Sequence, residues 1–184
     1  MKKVIIVHGW EGSPSINWFP WLKSELESLG IQTVIPEMPD SMHPIQTVWV
    51  EHLSSVVEQV TDELYFVGHS LGGIAILRYL ESLSDNVKVG GILLTASFPE
   101  SIGYGELESF FQTSLNYEKI AKIAAQITVI QSTNDPFVPI HMGELLKNNL
   151  GAKLVVIQDG GHFNTGAGFT TFPKVLNELE QMFK

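Results

Sequence analysis

The chain has 184 residues, 44% hydrophobic and 17% charged, a balance that suits one domain with a sizeable core and excludes a disordered chain. A formal net charge of −9 and a single arginine, Arg78, argue against a nucleic-acid partner, because phosphate binding needs clustered Lys and Arg. The lack of cysteine removes disulfides, thiolate metal sites and cysteine nucleophiles from consideration.

In chain order, Val4 to Val7 is a short β-branched run ending at His8-Gly9, the pattern of a buried parallel strand. After a loop rich in Gly, Ser, Pro and Asn, Trp18 to Leu29 carries Phe19, Leu22, Leu26 and Leu29 at helical spacing and stops at Gly30. Gln32 to Ile35 reads as a second strand closed by Pro36 and Pro39, and Ile45 to Val60 as a helix with Trp49, Leu53 and Val57 among its repeating apolar residues. Leu64 to Val67 is a third strand, Leu71 to Leu83 a helix, and Val89 to Thr95 a fourth strand. Ile127 to Gln131, Pro139 to Leu150, Leu154 to Ile157 and Thr171 to Phe183 complete the series as strand, helix, strand and helix.

Strand alternating with helix predicts a six-stranded, mostly parallel sheet covered on both faces, within a single domain spanning residues 1–184. The exception is the connection from Ser97 to Ala125, which holds Phe98, Tyr104, Leu107, Phe110, Phe111, Leu115 and Tyr117. Connections of this length serve as lids or binding loops; a pair of ordinary packing helices is the other reading. Only four apolar residues separate Met1-Lys2-Lys3 from His8, too few for a signal-peptide core, and no apolar run approaches the ~18 residues of a membrane helix. The expectation is a cytoplasmic protein without a membrane partner.

Gly68-His-Ser-Leu-Gly72 fits G-x-S-x-G between a predicted strand and a predicted helix, the setting that turns a serine into an exposed nucleophile. The two glycines clear the turn, and the following helix aims its positive end and the Leu71 N–H at the hydroxyl of Ser70. The phosphate-binding fingerprints of nucleotide folds are missing here.

Of six histidines, His162 follows the sixth strand in Asp159-Gly-Gly-His, at the sheet end where parallel folds bind ligands. His8 and His69 sit beside the first loop and the serine, His43 and His52 belong to the segment after the second strand, with His52 on a helix face, and His141 lies near a helix start. The acid that orients the base is expected to be Asp135, after the fifth strand, with Asp159 and Asp40 as rivals; the order Ser, Asp, His places all three after strands. A second oxyanion donor, beside Leu71, is expected at the backbone of Trp10 after His8-Gly9. Trp10, Phe98 and Phe137 are expected to wall an apolar substrate pocket.

These stretches, together with Asn17-Trp-Phe-Pro-Trp-Leu22, Asp135-Pro-Phe-Val-Pro139 and Gly160-Gly-His-Phe163, resemble the α/β-hydrolase superfamily, and within it the compact YdeN-type branch related to retinoblastoma-binding protein 9. The resemblance spans essentially the whole chain. It implies a minimal hydrolase fold lacking the two opening strands of larger members, a Ser70–Asp135–His162 triad and oxyanion donors at Trp10 and Leu71. No metal or organic cofactor is implied. The expected activity is hydrolysis of small or medium carboxylic esters, small-molecule acyl substrates, through an acyl-enzyme. Amide or thioester cleavage of a peptidase-like kind, and a non-catalytic binding module on the same fold, are the alternatives.

Overall fold

The computed structural model describes residues 1–184. Its elements run β1 (Lys3–Val7), α1 (Phe19–Ser28), β2 (Gln32–Val34), α2 (Gln46–Val56), β3 (Leu64–His69), α3 (Leu71–Ser82), β4 (Gly91–Thr95), a 3-10 helix (Gly105–Phe111), α4 (Tyr117–Ile123), β5 (Ile127–Ser132), α5 (His141–Leu150), β6 (Lys153–Ile157), a 3-10 turn (Thr165–Ala167) and α6 (Pro173–Met182). The strands form one sheet in the order β2-β1-β3-β4-β5-β6. Every pairing is parallel, as the βαβ alternation demands.

Side chains alternate across the sheet and so divide the core in two. Ile5, Val7, Phe66, Ile92, Leu94 and Val129 face a cluster shared with α2, α3, α4 and α5. Val4, Ile6, Val67, Leu93 and Ile130 face a second one built on α1 and α6. The strands are therefore apolar on both faces, the composition a parallel sheet requires. Helix α3 is buried along its length from Leu71 to Leu80, because it lies between the sheet and α2, α4 and the 3-10 segment.

Element boundaries shift where side chains compete with the backbone. Helix α2 stops at Val56 rather than Val60, and Val57 is already extended. Ser54 and Ser55 donate back to the carbonyls of Val50 and His52 in that last turn, which weakens a helix end. In α1, Leu29 is the C-cap and is exposed, leaving Phe19, Leu22 and Leu26 as the buried stripe. The fourth strand starts at Gly91; Val89 makes only an isolated bridge to Ala124.

The long connection at 97–125 lies against α3. Phe98, Leu107, Phe110 and Leu115 are buried in the larger cluster, and Arg78 of α3 fastens the segment. Its guanidinium, 3% exposed, donates from Nε and Nη2 to the Phe110 carbonyl at 3.0 and 2.9 Å and from Nη2 to the Thr113 carbonyl. Nη1 pairs with Glu81 at 2.8 Å, and the other oxygen of Glu81 accepts the Asn116 N–H. A buried charge is tolerable only when paired and hydrogen-bonded in this way.

No helix is long and apolar enough to cross a membrane. From β1 the chain crosses to β2, on one side of the sheet, and from β3 to β4, on the other. Such a switch point opens a crevice at the carboxyl ends of its strands. Gly9-Trp10 follow β1 there and Ser70 follows β3.

Candidate active site

Ser70 is the single residue between β3 and α3, and it holds φ 54°, ψ −124°. That region is strained for any residue with a side chain, at about 1–3 kcal/mol, so the surroundings must impose it. They do so through the backbone: the Ser70 N–H donates to the Thr95 carbonyl at 2.9 Å, and its carbonyl accepts from Gly73 N–H and from Ser97 Oγ. Sterics finish the turn. A Cβ on Gly68 would lie 2.6 Å from the Gly73 Cα, one on Gly9 would lie 2.9 Å from the Ser70 Cβ, and one on Gly72 would run into the backbone carbonyl of Val7. Gly73 and Ser97, which the motif alone does not single out, matter as much: a Cβ at Gly73 would overlap the Ser97 hydroxyl that holds the elbow.

The loop after β6 is bent by positive φ at Asp159, Gly161 and Phe163. Its ends are tied down by Gly161 N–H to Asn134 Oδ1 at 2.7 Å, and by the Trp18 indole to the Phe163 carbonyl at 2.9 Å. This places His162 with its Nδ1 2.8 Å from Asp135 Oδ2; the carboxylate is fully buried and the imidazole 12% exposed. The other oxygen, Oδ1, accepts the N–H groups of Phe137 and Val138 at 2.9 and 3.0 Å. The carboxylate therefore cannot rotate without losing two backbone bonds, and the ring is aimed by it. Phe137 packs edge-on to the ring at 5.1 Å.

Of the rival acids, Asp159 has no side-chain bond to His162, and Asp40 pairs with His43 on the exposed surface. The Ser70 hydroxyl makes no direct hydrogen bond to His162, but both residues line the same two cavities. Bonds between nucleophile and base are often open without substrate and tighten when it binds.

The two remaining buried histidines are held neutral. His8 Nδ1 donates to the Gly9 carbonyl at 2.9 Å while Nε2 accepts the Met38 N–H at 3.1 Å, so its tautomer is fixed by its partners. Burial lowers its pKa, against a smaller upward pull from that Gly9 bond. His69 Nε2 donates to the His162 carbonyl at 2.8 Å. Burial, and next the neighbouring His162, push its pKa from 6.5 down to about 3. His69, adjacent to Ser70 in the sequence, thus braces the backbone of His162. His52 is half-buried on α2 and His141 is exposed at the start of α5.

Leu71 opens α3, and an N–H in the first helical turn has no intrahelical acceptor. The Trp10 N–H likewise donates to no protein atom. The Trp10 indole donates to the Met42 carbonyl at 3.0 Å and packs on Tyr104 at 5.3 Å.

Two limbs of one cleft meet at Ser70 and His162. The first, of about 430 Å³, is lined by Gly12, Asn17, His69, Asn164 and Thr165 among others. The second, of about 280 Å³, is lined by Phe98, Ile102, Tyr104, Leu107 and Phe137, with Trp10 at the junction. Phe98 is buried and Phe137 46% exposed. Sequence reasoning gave neither Asn17 nor Asn164 a role in the site; Asn17 is joined to it by contacts with Thr165, 148 residues away along the chain.

The model of the serine hydrolase family matches residues 4–181. The chain is similar to the YdeN protein of Bacillus subtilis (strain 168), 38% identical over 183 residues, 99% of this chain and 96% of that one. It is also similar to the serine hydrolase RBBP9 of Rattus norvegicus, 26% identical over 185 residues, 98% of this chain and 95% of that one. The crystal structure of the B. subtilis YdeN protein superposes with a TM-score of 0.96, covering 100% of this chain and 99% of its own. An esterase from Exiguobacterium antarcticum, 17% identical, shares the fold at a TM-score of 0.66 over 88% of this chain and 85% of its own.

Proposed function

The chain belongs to the serine hydrolase family, and from that premise we propose that it cleaves carboxylic esters of small or medium acids through an acyl-enzyme on Ser70, with His162 as base and Asp135 as the group that orients it. The observation that carries this is the strained Ser70 elbow opening onto a cleft shared with an imidazole whose Nδ1 is 2.8 Å from a buried carboxylate.

Asp135 holds the proton of the ring on Nδ1, which leaves Nε2 unprotonated and able to take the Ser70 proton as the hydroxyl attacks the ester carbonyl. The oxyanion that develops is met by the N–H groups of Leu71 and Trp10, each worth about 3–4 kcal/mol in a comparable site. His162 then passes its proton to the departing alkoxide. Water repeats the sequence on the acyl-enzyme and frees the acid and Ser70. The neutral state of His69 leaves no second imidazolium beside His162 to oppose the one that forms.

The aromatic limb supports an acyl group of limited size, since its 280 Å³ lies just below the roughly 300–1,000 Å³ of ordinary ligand pockets. The experiment is labelling with a fluorophosphonate followed by peptide mapping. Modification of Ser70 is expected, and its absence in folded protein that also fails to turn over p-nitrophenyl butyrate would leave a binding module.

A further inference from the structure

The two limbs of the cleft differ in chemistry, and the difference defines the alcohol half of the substrate. One limb is lined mainly by Phe98, Ile102, Tyr104, Leu107 and Phe137, with the acidic Glu11 among them, and shares Asn164 with the other. The other carries no carboxylate, ammonium or guanidinium, and its buried His69 is neutral. A charged group placed there would lose water and gain no counter-charge, which is costly.

What the second limb offers is amide donors. Asn17 is held at φ 55° by a reciprocal clasp: its Oδ1 accepts from the Thr165 N–H and hydroxyl at 2.9 and 3.1 Å, and its own N–H donates to Thr165 Oγ1 at 3.2 Å. The Asn164 Oδ1 accepts the Ala167 N–H at 2.9 Å. In both residues a backbone N–H fixes which amide atom is oxygen, so neither side chain can flip. Each is left with an –NH2 group that has no protein partner. Two immobilised neutral donors beside an apolar limb fit oxygen acceptors on an uncharged ligand.

Resting on the triad reading above, we infer that the physiological substrate joins an apolar acyl group to an uncharged, hydroxyl-bearing alcohol of the polyol or sugar type, the acyl group in the aromatic limb and the alcohol against Asn17 and Asn164. Amino-acid and peptide leaving groups with a free terminus are disfavoured by the same lack of counter-charge.

The test holds the acyl group constant and varies the alcohol: glycerol monobutyrate, ethyl butyrate and choline butyrate, compared by kcat/KM. Glycerol monobutyrate is expected to exceed each of the others by roughly tenfold, the scale of two net neutral hydrogen bonds. Asn17→Asp and Asn164→Asp keep the oxygen that the backbone N–H needs but delete the donor. In each the ratio of glycerol to ethyl ester is expected to fall about threefold, the share of one of the two bonds, with choline butyrate gaining ground. Asn17→Gly, which tolerates the positive φ, repeats the test if the aspartate variant does not fold. A wild-type ratio near one, a ratio unchanged in the variants, or a preference for ethyl glycerate over glycerol monobutyrate (hydroxyls on the acid half) overturns the inference. Ethyl butyrate turnover that stops when a fluorophosphonate labels Ser70 shows that the triad reading survives such a failure.

Discussion

Replacing Asp135 by asparagine separates the fold from the chemistry, and the geometry says by how much. Oδ1 holds the N–H groups of Phe137 and Val138, and Oδ2 faces His162 Nδ1. An asparagine has two choices. If its oxygen stays with the two N–H groups, its –NH2 meets the ring and drives the proton from Nδ1 to Nε2. If the amide turns over, two backbone donors face a donor, at about 1–3 kcal/mol each. The first choice costs the fold less, so it wins, and the imidazole is then protonated on the side that should accept the Ser70 proton. The loss of kcat is expected near 10⁴-fold, the penalty of the wrong tautomer in serine proteases, or about 5.5 kcal/mol of barrier. The assay is turnover of p-nitrophenyl butyrate beside a thermal melt, with Asp159→Asn as control. The variant should melt within a few degrees of wild type and be nearly inert, while the control loses less than tenfold. Activity within tenfold of wild type for Asp135→Asn, or the large loss falling on Asp159→Asn, refutes the reasoning.

Further outcomes follow from the elbow, the buried histidine and the aromatic limb. Gly72→Ala forces a methyl into the Val7 carbonyl of β1; overpacking against backbone should cost ~3 kcal/mol or more in urea unfolding, and wild-type stability would contradict the steric account of the turn. His69 titrates near 3 when folded and near 6.5 when unfolded, so the unfolded chain binds the extra proton. Stability is unaffected above 6.5 and falls by ~1.4 kcal/mol per pH unit between 6.5 and about 3. His8 is shifted the same way. His69→Gln, whose amide can still reach the His162 carbonyl, should make the decline from pH 7.5 to 4.5 distinctly shallower; equal slopes would show that His69 is not held neutral. A p-nitrophenyl ester series should peak at short or medium acyl chains, and a maximum at long chains would contradict an aromatic limb closed at 280 Å³.

The parts of this molecule that a reader of the sequence can find are those written in short-range pattern. Strand and helix alternate with a period that shows itself within ten residues, and Gly68 and Gly72 announce a turn with no room for side chains. The approach of Asp135 to His162 is also legible, because both follow strands and a parallel sheet brings such loops to one rim. What was hidden is relational. The Asn17–Thr165 clasp joins residues without any shared motif, and Ser97 acquires its role only because Gly73 lies beneath it. The end of α2 depended on two serine hydroxyls turning inward on the helix, a choice that hydrophobic periodicity cannot register. Nor does any pattern in 97–125 show that Arg78 of α3 donates to the carbonyls of Phe110 and Thr113 within it.

The Arg78 guanidinium sits on the same helix whose first turn follows Ser70. Because Arg78 donates to the carbonyls of Phe110 and Thr113, swinging the segment away would break three hydrogen bonds of a charged group and leave it only Glu81. The wall of the acyl limb is therefore expected to travel with Ser70 as one body. If the segment stays so fastened, the rate on the proposed ester substrates should climb smoothly with dissolved ester and show neither a lag nor a jump when the substrate begins to form droplets.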